Sequence, residues 1–187
     1  MKNYFAAILC IIFLAMASGC TTIYGTAVDE RNVRTISSDA KIKALLLDAF
    51  LQDDTVKTFD ISKYCYYGHV YLIGVYDTKK QKKRAVELAR NIEGVKNVTA
   101  YLLQKKESDP CGTTDNIAMT AKVKAKLVKD GDIWSTNIDI KTVQCNIVLC
   151  GVVGSKKEMQ KVIAHAKSVP GARSVKSFLK VAPRHNQ

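Results

Sequence analysis

The sequence predicts an α+β protein of two tandem units, each with the order α-β-β-α-β and each a three-stranded sheet covered by two helices. Three observations carry this prediction: an internal repeat, two alternating hydrophobic periods, and a matched pair of helix-start signals. Val70-Tyr71-Leu72-Ile73-Gly74-Val75 is answered by Ile147-Val148-Leu149-Cys150-Gly151-Val152, and Glu93-Gly94-Val95 by Pro170-Gly171-Ala172, both at an offset of 77 residues. A repeat of this kind means that one supersecondary plan is used twice. Upstream, Ala40-Lys41-Ile42-Lys43-Ala44 matches Ala121-Lys122-Val123-Lys124-Ala125 at an offset of 81, which implies four extra residues in the early loops of the first copy.

Taken in order, Ile42, Leu45, Leu46, Ala49 and Phe50 fall at i, i+3, i+4, i+7 and i+8, the apolar stripe of an amphipathic helix. In the second copy Ile117, Thr120, Val123, Leu127 and Val128 form the corresponding stripe. Runs rich in β-branched and aromatic residues at 58–66 and 69–76, and at 137–143 and 146–153, predict hairpins turning at Gly68 and at Cys145-Asn146. Thr78-Lys79-Lys80-Gln81 and Ser155-Lys156-Lys157-Glu158 are capping boxes. The helices they open carry Ala85, Leu88, Ala89 and Ile92, and Val162, His165, Ala166 and Val169, on their inner faces. Last strands follow at 96–103 and 173–181. Gly74, Gly94, Gly151 and Gly171 punctuate the two copies at matching points and read as structural glycines. Alternation turns Val70, Leu72 and Gly74 toward the helices and Tyr71, Ile73 and Val75 away, as it does Val148, Cys150 and Val152. A sheet with two apolar faces needs a second cover. The expectation is that the two copies pack on each other, the alternative being an apolar face open to lipid.

The helix, the strand ending in Leu72-Ile73-Gly74 or Leu149-Cys150-Gly151, the second helix, and the step Gly94-Val95 or Gly171-Ala172 resemble BON domains. The segment from Asp29 to Asp39 is similar to the lead-in of two-BON-domain bacterial outer-membrane lipoproteins. The resemblance covers nearly all of the chain after residue 20, with departures at Glu30, at the later cysteines, and at the lysines of the helix over 115–129. It implies phospholipid association and maintenance of envelope integrity, and no catalytic activity. The resulting plan is a signal peptide at 1–19, a lipid-anchored linker at 20–36, a first BON-like domain at 37–105, a linker at 106–114, a second BON-like domain at 115–182 and a tail at 183–187.

The first residues carry Lys2, an apolar run from Tyr4 to Met16, and Ala17-Ser18-Gly19-Cys20. The run is too short to span a bilayer and reads as an export signal. It resembles the bacterial lipobox, with Ala17 where leucine is usual, so Cys20 is the expected lipidation site. Several buried acyl chains make such an anchor stable. Thr21 follows in place of the aspartate that retains lipoproteins at the inner membrane, which places the chain on the periplasmic face of the outer membrane. The formal net charge is +12. For an exported chain that points to anionic phospholipid or an acidic envelope protein as partner, and away from nucleic acid. Residues 37–107 hold 13 basic and 9 acidic side chains against 12 and 5 for residues 113–182, so the second copy is the better anionic-surface candidate.

Candidate lipid contacts are Lys122, Lys124, Lys126, Lys129, Lys156 and Lys157, together with Trp134 in the loop after the helix. Lysines at a helix start oppose the macrodipole, and a headgroup phosphate there would relieve the conflict. In the first copy Lys79, Lys80, Lys82, Lys83 and Arg84 crowd the same position, with Glu87 one turn after Lys83. A tryptophan in that place also serves as a core or hinge residue. Cys65, Cys111, Cys145 and Cys150 are disulfide candidates in an exported chain. Four cysteines allow three pairings. Cys145 with Cys150 is disfavoured by strand alternation, whereas Cys65 with Cys145, or either with Cys111, would tie the copies together. Neither a metal nor a cofactor is expected: the chain has no CxxC spacing, and His69 beside Gly68 reads as a turn residue. His165 answers Leu88 and reads as a half-buried structural residue, while Asp53-Asp54 and Asp130-Gly131-Asp132 read as helix exits. No Gly-rich phosphate loop or nucleophile elbow is present. Two readings stand: a lipid-anchored module binding anionic phospholipid, favoured by the lysines and Trp134, and a non-enzymatic adaptor docking an envelope protein or itself, favoured by the second sheet face and Cys111. No oligomeric state is assigned.

Overall fold

Asn32 starts the first helix by accepting the Thr35 amide hydrogen on its side chain (2.9 Å). That helix, α1 (Val33–Leu51), therefore begins inside the segment expected as linker. In the computed structural model, which describes residues 31–56 and 58–182, there follow β1 (Ile61–Tyr66), β2 (His69–Tyr76), α2 (Lys79–Asn91), β3 (Asn97–Gln104), α3 (Thr113–Lys129), β4 (Ile138–Val143), β5 (Asn146–Val153), α4 (Lys156–Lys167) and β6 (Ser174–Val181). The expected signal at 1–19, Cys20 and the tail at 183–187 lie outside the described residues. Among the described residues no helix is long and apolar enough to cross a membrane.

Each unit is a three-stranded sheet in the order β1-β2-β3 or β4-β5-β6, the hairpin antiparallel and the last strand parallel to the middle one. A parallel return needs a crossover, and α2 and α4 supply it. The inner face of the first sheet packs Val70 and Leu72 against Ile42, Leu46, Phe50, Ala85 and Ala89. In the second unit Met119, Val123 and Leu127 cover Ile147 and Leu149 with Val162 and Ala166. Two expectations change here. Ile42, Leu46 and Phe50 correspond to Met119, Val123 and Leu127 at the same offset of 77 that relates the strands, so the first copy has no extra residues. The match at 81 is the same helix slipped by four residues, about one turn, where Ala and Lys recur on the same face. The second stripe is also off the core face in part: Ile117 and Val128 are exposed, and Met119 is in the core.

Gly74 and Gly151 lie where the middle strand passes the start of its hairpin partner. A Cβ at these positions would sit 2.0 Å from the Asp60 carbonyl oxygen and 2.2 Å from that of Asn137. The hairpins turn on Tyr67-Gly68 and Gln144-Cys145, all four at positive φ, the two-residue turn that matches strand twist. Asn146 is already the first residue of β5. An acceptor from the covering helix, buried in the first unit and half-buried in the second, holds each turn. Asp39 takes the amide hydrogens of Tyr67 (2.9 Å) and Gly68 (2.8 Å), and its counterpart Asn116 takes that of Cys145 (3.0 Å).

The outer faces of the two sheets meet. Tyr66, Tyr71 and Ile73 pack with Val143, Val148, Cys150 and Val152 in a third core, and the Tyr66 hydroxyl hydrogen bonds the Asp139 carboxylate across the seam. At one end Lys180 Nζ donates to His69 Nδ1 (3.2 Å), and at another Gln144 Nε2 donates to the Gln104 carbonyl (2.7 Å). The expectation that the copies cover each other's second face describes the molecule.

The disulfide is Cys111–Cys145, which closes a separation of 34 residues. In the chain-entropy account a loop of that length is worth about 4 kcal/mol. It does not tie the copies together, because Cys111 belongs to the core of the second unit. Cys65 and Cys150 are buried free thiols in two different cores. The Cys65 thiol is pushed up to about 12 by burial and the neighbouring Asp39 carboxylate. Cys65 thus bridges to neither Cys145 nor Cys111, and the candidate Cys150 is unpaired as well. Gly151→Ala is expected to lower the urea unfolding free energy by about 3 kcal/mol through overpacking, whereas Gly131→Ala, with open space around it, should stay within about 0.5 kcal/mol.

Candidate functional site

The start of α4 organises the basic end of the second unit. Ser155 accepts the Glu158 amide hydrogen (3.0 Å) as an N-cap. The buried Glu158 carboxylate then accepts the amide hydrogens of Gly154 and of Trp134, each at 2.9 Å. The loop carrying Trp134 is thus pinned to the helix start while its indole remains 49% exposed. Lys124 Nζ donates to the Ser135 carbonyl (2.8 Å) from the other side of that loop. Lys156 and Lys157, both exposed, are the first two residues of the helix to which that loop is pinned. The structure therefore brings Trp134, Lys124, Lys156 and Lys157 together. It does not bring Lys122, Lys126 and Lys129 to the same place: relative to the buried row Met119-Val123-Leu127 they lie on the opposite flank of α3 from Lys124.

Glu158 also resolves the dipole conflict. Its carboxylate puts negative charge at the positive end of α4, so no external phosphate is needed there. In the first unit the cations are largely partnered. Arg84 meets Asp53 at 2.6 Å, Lys83 meets Glu87 at 3.9 Å, and Lys82 lies over the Tyr76 ring. The Asp53–Arg84 pair recurs 77 residues on as Asp130–Lys161, joined there by Asp132 and by His165, whose Nε2 is 2.9 Å from Asp130. The aspartates of both helix exits thus bind their own second helix. The hydrogen bond from His165, the Asp132 amide and Lys161 hold Asp130 down at about 2. Among the described residues no group of three or more His, Cys, Asp or Glu could hold a metal ion.

The model of the BON domain matches residues 38–105 and 116–183. The chain belongs to the BON-domain family. It is 33% identical over 143 residues to osmotically-inducible protein Y of Escherichia coli, covering 75% of this chain and 69% of that one. It is 24% identical over 162 residues to outer membrane lipoprotein DolP of Haemophilus influenzae, covering 86% and 83%. Among solved structures, the C-terminal domain of CdsD, a structural protein of the type III secretion system of Chlamydia trachomatis, aligns over 78% of this chain and 67% of that chain at 15% identity with a TM-score of 0.32.

One feature of this two-BON chain escapes a reading of the sequence. A groove of about 840 Å³ runs between the units, bounded by Phe59 and Tyr64 on the first, Ile117 and Ile140 on the second, and the linker from Lys105 to Gly112. The signal was Ile117, an isoleucine placed in the core stripe that belongs one face away. Removing a carboxylate whose folded value lies below its ordinary 3.8 removes stability that is present above that value and lost as pH falls toward about 2. Urea midpoints of the wild type are therefore expected to fall between about pH 5 and pH 2 by more than those of Asp130→Asn, with the two curves closest at the acid end.

Proposed function

We propose that this chain is an outer-membrane lipoprotein, anchored through Cys20 on the periplasmic face, whose second BON unit binds anionic phospholipid and supports envelope integrity without catalysis. The observation that carries the reading is the half-exposed Trp134, on a loop held by Lys124 and by the start of the helix that opens with Lys156 and Lys157. An amphipathic ring prefers the bilayer interface, and each lysine near an anionic surface is worth about 1 kcal/mol. The one carboxylate at the centre, Glu158, is buried, and its charge is offset by the Gly154 and Trp134 amides and by the positive end of α4. The lipobox-like Ala17-Ser18-Gly19-Cys20 and the likeness to an outer membrane lipoprotein support the location. The adaptor reading loses both features that favoured it: the second sheet face is covered by the other unit, and Cys111 is bridged to Cys145.

The packing described above lies within residues 31–182, all of which a chain starting at residue 21 contains. Such a chain is expected to co-float with phosphatidylglycerol vesicles at low salt, to detach as salt screens the headgroups, and to ignore phosphatidylethanolamine vesicles. Trp134→Ala and Lys124→Glu should each weaken flotation about tenfold, and Lys126→Glu, on the other flank, by less. Absence of flotation on either vesicle would leave the acyl anchor as the sole membrane contact and would overturn the reading.

A further inference from the structure

The groove between the units has a chemistry separate from that of the Trp134 end. Phe59 is 91% and Ile117 65% exposed, the most exposed of the large apolar side chains that line it, and they stand on opposite units. Tyr64 and Ile140 continue the apolar wall inward. The lining is also basic: Lys105, Lys106 and Lys141 make no salt bridge among the described residues, and Lys124 completes the set. Of the acids nearby, Asp109 is bound by Arg173 at 2.9 Å, leaving Asp60 and Glu107 against these four lysines. A volume of about 840 Å³ lies within the range of pockets that enclose one small molecule. A bilayer surface is too broad to enter a concavity walled on three sides by β1, α3 and the linker.

Apolar side chains set beside lysines in one groove complement a hydrocarbon chain carrying a negative head. We infer that the groove between the two BON units binds a single anionic one-chain amphiphile, its chain against Phe59, Tyr64 and Ile117 and its head among Lys105, Lys106 and Lys141. The site shares no aromatic anchor with the membrane-surface reading, and either can fail without the other.

The test is calorimetric titration of the chain starting at residue 21 with monooleoyl phosphatidylglycerol kept below its micelle-forming concentration. One molecule is expected per chain, and monooleoyl phosphatidylcholine should bind about tenfold more weakly because its head carries no net charge. Phe59→Asp and Ile117→Asp alter exposed side chains, so they leave the fold intact by circular dichroism, and together they should abolish the heat. Lys105→Glu with Lys106→Glu should lower affinity at least about tenfold. Trp134→Ala, which weakens flotation, should leave this titration unchanged. Undiminished binding by the Phe59→Asp, Ile117→Asp double variant, equal affinity for the phosphatidylcholine probe, loss of binding in Trp134→Ala, or no binding at all would each overturn the inference.

Discussion

A three-stranded sheet with apolar side chains on both faces cannot stand in water alone, and the architecture of this protein follows from that constraint. The inner face is covered by two helices in each unit. The outer face of one sheet carries Tyr71 and Ile73, that of the other Val148, Cys150 and Val152, and each covers the other. Burying a large apolar side chain is worth about 1.5–3 kcal/mol, so a seam of this composition outweighs the freedom lost in fixing two units against each other. The seam also accepts polar groups where they find partners. Tyr66 reaches Asp139, and burial together with that carboxylate drives its hydroxyl pKa strongly upward, which keeps it a donor. His69 stacks on Tyr71, bonds Thr99 through one ring nitrogen and receives Lys180 on the other. Burial and Lys180 push its pKa down, consistent with a neutral ring accepting that lysine's proton donor.

The two copies solve one local problem with different chemistry. A two-residue hairpin turn leaves amide hydrogens pointing under the covering helix, and a side chain at the same helix position accepts them: Asp39 in the first unit, Asn116 in the second. A buried carboxylate requires a counter-charge, and Arg31 supplies it at 2.6 Å while lying over the Tyr66 ring. Asn116 is neutral and needs none. The second turn instead has Cys145 at φ 56, in the place that Gly68 fills in the first. A side chain at positive φ is disfavoured, and the bridge to Cys111 is what that residue gains. Through that bridge and the Asp109–Arg173 pair the linker is fixed along the second unit, which sets one wall of the groove.

Much of this was legible in the sequence because it rests on period and short-range chemistry. Alternation in the middle strands sorted Val70 and Leu72 from Tyr71 and Ile73 without error, since the two faces of a strand are fixed by the pleat. The N-caps at Thr78 and Ser155 are local and formed as their spacing required, while Gln81 and Glu158 reach back one residue further than a capping box does, to the amides of Asp77 and Gly154. What failed was phase on α3. Ala and Lys repeat there with helical spacing, so a match slipped by one turn looks as good as the true one, and only the buried Met119, with its flexible thioether in place of an aliphatic branch, marks the real core face. The lysines were legible by type and not by direction: six were grouped from sequence, and a helix flank separates Lys122, Lys126 and Lys129 from the other three. Cysteine pairing required knowing that Cys111 folds back on the second unit, a long-range fact that no spacing contains.

Comparison of equivalent positions shows where the copies have diverged in surface and not in fold. Leu47 and Leu51 of α1, both exposed, correspond to Lys124 and Val128 of α3. Ala40 corresponds to Ile117, and the neutral Gln81 at the start of α2 to Glu158 at the start of α4. Each pair is related by the same offset of 77 and sits at the same place on the same scaffold. The change from Gln81 to Glu158 is the one with the widest consequence. An internal carboxylate at the helix start reaches the Trp134 amide, anchors the loop that presents the ring, and balances the helix dipole from within. Lys156 and Lys157 are thereby left with charge that the helix start does not require, on the unit whose net charge is higher.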